Sequence, residues 1–276
     1  MKRACGPVFR AVGLHARCVT IRALPLAEKA EADYMRPMHA TVVIFPGSNA
    51  DAEMIRTLRD VLGVPTEVAW HRDAELPPGT DLVAIPGGFS YGDYLRCGAI
   101  AKTSPILAAI RRHAERGGHV LGVCNGFQIL TEAGLLPGAL TRNAHMRFEC
   151  RDVFVTPAAE GPFTGGLPRV LRLPIAHAEG RYQTDPETLR KLEAEGRIAL
   201  RYCDRGGNVS DEANPNGSVA NVAGVYGGAN KNVLGLMPHP ERMSEALLGG
   251  ADGLSIFEAW QRSAKAARAP LAAAAP

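Results

Sequence analysis

Three short segments of this 276-residue chain combine residue types able to carry out acyl transfer. The first, Gly122-Val123-Cys124-Asn125-Gly126, sets a cysteine between glycines directly after the apolar run Val120-Leu121-Gly122-Val123. A small-x-nucleophile-x-small pattern lets the chain turn sharply from strand to helix and lifts the nucleophile at the strand's C-terminal end. At a helix N-terminus the free N–H groups and the helix dipole favour a negative sulfur. The Asn125 N–H points the same way and is a candidate oxyanion donor. Taken alone, Cys124 would more readily be packing on a tight turn.

The second segment, Met237-Pro238-His239-Pro240-Glu241-Arg242, follows the apolar run Val233 to Leu236. A histidine at a strand end can take a thiol proton, and a carboxylate two residues later can fix its ring. Two prolines stiffen the loop. Singly, His239 is an ordinary loop histidine and Glu241 a solvated charge. With the cysteine elbow they form a candidate Cys124-His239-Glu241 triad, in the chain order of an α/β enzyme whose triad spans distant strands. The third segment, Pro86-Gly87-Gly88-Phe89-Ser90-Tyr91-Gly92-Asp93, lacks the Lys-Ser/Thr of a phosphate loop. Backbone N–H groups at Gly87 and Gly88 are instead candidates for the second oxyanion donor; as a bare tight turn the loop would need no function.

These segments require strands whose ends lie side by side. Thr41-Val42-Val43-Ile44-Phe45 is an apolar, β-branched run ended by Pro46-Gly47. Asn49 or Asp51 is expected to cap the next helix, which carries Met54, Ile55, Leu58, Val61 and Leu62. Leu82-Val83-Ala84-Ile85 is a second strand. Ile106 to Arg116 reads as a helix closed by Gly117-Gly118, and a helix from about Gly126 to Ala133 follows the elbow and stops at Gly134. Strands apolar throughout suit a parallel sheet covered on both faces. The expected fold is a doubly wound, mostly parallel α/β sheet of flavodoxin-like type. From Val153 to about Gly235 turns are frequent and the topology stays open.

Hydrophobic residues make up 46% of the chain and charged residues 21%, enough for one large core. The formal net charge of +3 and the absence of a dense Lys/Arg block with interleaved aromatics exclude nucleic acid as an expected partner. No stretch approaches the roughly 18 apolar residues of a membrane span. The six cysteines (Cys5, Cys18, Cys97, Cys124, Cys150, Cys203) lie far apart, without C-x-x-C pairs or metal-ligand spacing. They fit a reducing cytoplasm and neither a zinc site nor a disulfide framework. Residues 1–37, basic before Glu28 and without clean period, read as a disordered leader or a mis-assigned start ahead of the domain at 38–263, and 264–276 read as a fraying Ala/Pro tail. His71 and His145 read as surface or loop residues, and Cys97 as packing in a helix after the glycine loop.

With Pro46-Gly47-Ser48-Asn49, Tyr94-Leu95-Arg96, Phe127-Gln128, Arg147-Phe148-Glu149-Cys150-Arg151, Ala176-His177-Ala178-Glu179-Gly180-Arg181 and Asn214-Pro215-Asn216-Gly217-Ser218 added, the chain resembles the class I, triad-type glutamine amidotransferases. Within them it is similar to the glutaminase subunits of phosphoribosylformylglycinamidine synthase, from about Met38 to Trp260. The elbow and His-Pro-Glu segments carry the wider resemblance; Ala-His-Ala-Glu-Gly and Asn-Pro-Asn-Gly-Ser carry the narrower one. The resemblance implies that Cys124 attacks the glutamine carboxamide, that His239 protonates the departing ammonia, and that water releases glutamate from a thioester. It also implies a large synthetase subunit, which uses ATP and magnesium to turn formylglycinamide ribonucleotide into the formylglycinamidine, and a small bridging subunit. This chain is then expected to hold no cofactor or metal of its own. His177 and Glu179 are assigned by the resemblance to an interface or to loop structure, outside the catalytic set. The rival readings are a stand-alone cysteine hydrolase on the same scaffold, an amidotransferase for another acceptor, and a non-catalytic binding subunit.

Overall fold

The computed structural model of the chain describes residues 36–269. The leader assigned to 1–37 lies outside the described residues except for Arg36 and Pro37, as does the tail from 270 onward. Among the described residues, nine strands form one sheet. In chain order they are β1 (Ala40–Ile44), β2 (Thr66–Trp70), β3 (Leu82–Ile85), β4 (His119–Val123), β6 (Glu149–Pro157), β7 (Leu171–His177), β9 (Ile198–Cys203), β10 (Val222–Gly227) and β11 (Val233–Leu236), while β5 (Ala139–Thr141) and β8 (Arg181–Gln183) pair separately.

Across the large sheet the order is β2-β1-β3-β4-β11-β10-β9-β6-β7. Every neighbour pair from β2 to β11 is parallel, and every pair from β11 to β7 is antiparallel. The continuous apolar runs form the parallel half, and β3 and β11 are buried along their whole length. The antiparallel half comes from the segment whose topology the sequence left open. Strand β2, Thr66-Glu67-Val68-Ala69-Trp70, has no apolar run because it lies on the sheet edge, with Val68 and Trp70 exposed.

The helices are α1 (Asp51–Arg56), α2 (Ile106–Glu115), α3 (Asn125–Glu132), α4 (Pro186–Ala194) and α5 (Leu254–Arg268). Gly117 and Gly134 end α2 and α3 with φ of +87° and +67°. The expected side-chain cap on α1 is not made: its cap position is Ala50. The N–H groups of Asn49 and Ala50, just ahead of the helix, donate to the Gly87 carbonyl at 3.1 and 3.2 Å, so the glycine loop holds the backbone that leads into it. Helix α1 runs on into a π-helical turn, Thr57–Val61.

Two sequence expectations are corrected by packing. Helix α5 continues through Arg268, with Ala264 buried, so the ordered part does not stop at 263. Arg268 pairs with Asp81 and donates to the Arg36 carbonyl at 2.9 Å, tying the last turn of α5 to the foot of the sheet. His71 lies in a turn, as the loop reading has it, but it is 6% exposed and so not a surface residue: it packs among Phe45, Trp70 and Tyr91, with Nδ1 2.7 Å from the Tyr91 hydroxyl. His145 is exposed, as expected.

The strand order reverses between β1 and β3, and in open parallel sheets such a switch opens a crevice at the strands' C-terminal ends. The Pro46-Gly47 and Gly87-Gly88 loops leave the sheet there, joined by an antiparallel bridge between Ser48 and Gly88. On the neighbouring strands Val123 pairs with Leu236, which brings the elbow and the His-Pro-Glu loop out side by side.

Burial also shapes the acid response. Desolvation lowers His119 and His177 to about 4, against roughly 6.5 in an unfolded chain. Unfolding therefore takes up protons between those values, and stability is lost as pH falls through this window, by up to about 1.4 kcal/mol per pH unit for each histidine. The melting temperature is expected to drop steadily from pH 7 to pH 4.5, and a flat profile would contradict the buried neutral histidines.

Candidate active site

Cys124 joins β4 to α3 with φ 50° and ψ −105°, a conformation that L-residues rarely adopt. Such strain costs on the order of 1–3 kcal/mol and persists only where the surroundings over-determine it. Here the Cys124 N–H donates to the Leu236 carbonyl at 2.8 Å and its carbonyl accepts from Gln128 N–H at 3.1 Å. The flanking glycines are needed for space. A Cβ on Gly126 would sit 2.1 Å from the Ile85 carbonyl oxygen, and one on Gly122 would sit 2.5 Å from Leu130 Cδ1 and 2.7 Å from the Gly126 carbonyl. Cys124 is 5% exposed, with Sγ 3.9 Å from the Ala176 carbonyl.

His239 and Glu241 are buried at 2% and 0% exposure. His239 Nδ1 lies 2.5 Å from Glu241 Oε1, and the His239 N–H donates to the Pro174 carbonyl at 2.8 Å. Thr57, where the π turn begins, and Ser244 donate to the Glu241 carbonyl at 3.3 and 3.2 Å. Burial alone would lower the basicity of His239, but the Glu241 carboxylate and the nearby Cys124 outweigh it and raise it well above an ordinary histidine. Nε2 has no hydrogen-bond partner among the described residues and is the ring nitrogen left open for proton exchange.

Gly87 fits between the Cys124 and His239 side chains. A Cβ there would lie 2.6 Å from His239 Cε1 and 3.4 Å from Cys124 Cβ. Its carbonyl is held by Asn49 and Ala50 at the start of α1. Because a trans peptide sets C=O and N–H on opposite sides, the Gly88 N–H must point away from α1. A Cβ on Gly88 would strike the Gly47 oxygen at 2.5 Å, so this close approach is open only to glycine. Asn125 is held on both sides: its Oδ1 accepts from Ser90 N–H at 3.0 Å and its Nδ2 donates to Gln128 Oε1 at 2.9 Å.

All the sequence-predicted site residues thus gather at one end of the sheet. Sequence reasoning missed the Ala176 carbonyl, which no side-chain pattern can reveal, and gave Gln128 no role. Gln128 lies one turn into α3, and its Nε2 donates to the Glu179 carbonyl at 2.6 Å, so Glu179 takes part through its backbone. Cys97 lies in a turn ahead of the short 3₁₀ helix Ala101–Thr103, not in a helix. It is half-buried, and desolvation together with the Asp93 and Glu179 carboxylates pushes its thiol far up, away from nucleophilic use.

A family model for a CobB/CobQ-like glutamine amidotransferase domain matches residues 37–259. A protein named phosphoribosylformylglycinamidine synthase subunit PurQ from Rhodospirillum rubrum is 53% identical over 224 residues, which cover 80% of this chain and 97% of the relative. The protein of the same name from Cereibacter sphaeroides is 54% identical over 225 residues, covering 80% and 96%. Among solved structures, a chain of PurLQS from Thermotoga maritima superposes with a TM-score of 0.72 at 39% identity, covering 82% of this chain and 99% of that one. With most of its length matched by the family model and by relatives of this identity, the chain belongs to the CobB/CobQ-like glutamine amidotransferase family.

Proposed function

We propose that this chain is the glutaminase subunit of phosphoribosylformylglycinamidine synthase, hydrolysing glutamine to glutamate and ammonia and passing the ammonia to a synthetase subunit for purine biosynthesis. The observation that carries this reading is the buried Cys124 on a strained elbow beside the His239–Glu241 pair, in a chain that spans nearly the whole length of relatives bearing that name.

In the first half-reaction the Cys124 proton passes to His239 Nε2 and Sγ attacks the side-chain carboxamide carbon. The negative oxygen of the tetrahedral intermediate is stabilised by the N–H groups of Gly88 and Asn125, with Gly87 keeping the space clear. His239 then gives its proton to the departing nitrogen, the C–N bond breaks, and ammonia leaves a γ-glutamyl thioester. In the second half, water attacks the thioester while His239 takes its proton, and glutamate and the Cys124 thiol are restored. Glu241 holds the imidazole with Nδ1–H toward itself and stabilises the imidazolium between the steps. This chemistry consumes no cofactor. The ATP and magnesium of the overall synthesis are assigned to the synthetase subunit, and a small bridging subunit is assigned to the complex. None of the described helices is long and apolar enough to cross a membrane, and a cytoplasmic location fits the scattered free thiols.

The test is glutamate release by the purified chain with and without the cognate synthetase, formylglycinamide ribonucleotide and ATP. Release is expected to be slow alone and strongly raised in the complete mixture. Equal stimulation by a synthetase for another acceptor would overturn the substrate assignment. Cys124→Ala is expected to lose at least about 10³-fold in kcat, and a glutamine-like electrophile should label Cys124 in the native chain but not in Cys124→Ser; a fully active Cys124→Ala enzyme would sink the mechanism. Gly87→Ala, which pushes a methyl group against His239, should fold yet lose about 10²-fold in kcat, measured with Gly206→Ala, at an exposed turn without a positive φ, as a distant glycine control.

A further inference from the structure

Strand β7 is an edge strand, bonded along one side to β6. Its Pro174 and Ala176 carbonyls meet the His239 N–H at 2.8 Å and the Cys124 Sγ at 3.9 Å. Lying two residues apart, these carbonyls leave the strand on the same side. Just past the strand, the Glu179 carbonyl takes the Gln128 amide. An edge strand has no second neighbour to hold it. Pairing with β6 ends at His177, so the turn that carries the Glu179 carbonyl, and with it the strand end at Ala176, is set by what anchors the end of β7.

That anchor is Asn143, wholly buried in the loop before β6. Its Nδ2 donates to the carbonyls of Arg147 and His177, both at 2.9 Å. With the amide hydrogens used, Oδ1 is the acceptor: it receives the Gly180 N–H at 3.1 Å and faces His177 Nδ1 at 3.1 Å. This orientation requires the hydrogen of His177 to sit on Nδ1. The Asn143 N–H donates to the Ala178 carbonyl, and Asn216 Nδ2 holds the Gly180 carbonyl, both at 2.9 Å. His177 is 3% exposed, and its ring packs so closely on Gly180 that a Cβ there would sit 2.2 Å from Cε1.

We propose that Asn143 and His177 are positioning residues for the reaction. Their Nδ1–H···Oδ1 bond holds the end of β7 so that its outward carbonyls keep His239 and Cys124 in attack alignment. The proposal rests on the reading of Cys124 as the nucleophile of a glutaminase, and it uses His177 as a neutral donor and never as an acid or base.

Two variants separate the ring nitrogens. His177→Asn sets an amide nitrogen near the place of Nδ1, whereas His177→Gln reaches toward Nε2 and leaves Asn143 Oδ1 without that donor. In the assembled synthase, His177→Asn is expected to keep kcat for glutamine within about threefold of the parent, and His177→Gln to lose about tenfold or more in kcat with KM changed less than about twofold. Alkylation of Cys124 by iodoacetamide in the isolated chain, read by peptide mapping, should follow the same order. The proposal is overturned by a His177→Gln protein with parental kcat and alkylation rate, by His177→Asn being impaired as much as His177→Gln, or by losses that only track the folded fraction. If His177→Gln does not fold, folded His177→Asn decides: retained rates support the clamp and a tenfold loss refutes it. A parent chain without glutaminase activity, but with the expected alkylation order, would count against the proposed function and still support the clamp.

Discussion

The feature on which the rest of the molecule depends is the backbone turn at Cys124. Strand β4 must pass into α3 without an intervening loop, and the cost is a residue in a conformation that only surrounding contacts can sustain. Those contacts come from separate parts of the chain: Leu236 on β11 receives the cysteine N–H, the Ile85 carbonyl on β3 leaves no room at position 126, and Leu130 on α3 closes over Gly122. The parallel half of the sheet is thus both the frame for the elbow and the reason it does not relax. Residues brought together in this way over-determine one another, and a defect in β3 or β11 is felt at the thiol.

The His239–Glu241 pair is a second constraint of a different kind. A fully buried carboxylate is costly unless paired, and here its Oε1 is taken up by an imidazole two residues away. The prolines on either side of His239 restrict the backbone, and Thr57 and Ser244 secure the Glu241 carbonyl. The pair gives up stability that well-packed apolar residues would have supplied, and in exchange the imidazole has one orientation and a heightened hold on a proton.

How much of this was legible beforehand follows from the physics of each element. The buried parallel strands announce themselves as apolar runs, and the elbow and His-Pro-Glu loop as patterns of residue type, so the gathering of Cys124, His239, Glu241, Gly87, Gly88 and Asn125 could be anticipated. Strand β2 could not, because an edge strand needs no apolar run. The start of α1 was misread because the backbone that leads into it is held by a carbonyl from residue 87, a contact invisible to local capping rules. The burial of His71 escaped because a lone histidine has no pattern that distinguishes burial from exposure. The contributions of Ala176 and Pro174 escaped for a deeper reason: they are made by backbone oxygens, which every residue possesses.

Pro174 also bears on association between molecules. An open strand edge exposes unpaired donors and acceptors that another strand can complete, which is a route to aggregation. Strand β7 occupies such an edge, and it carries a proline, which has no N–H to offer, two residues from Arg172, whose N–H is already donated to Asp252 Oδ2 at 2.8 Å. The Pro174 carbonyl is already engaged by His239. The same residue therefore supports the His-Pro-Glu loop and denies a foreign strand its footing, so the candidate site doubles as a stopper on the edge of the sheet.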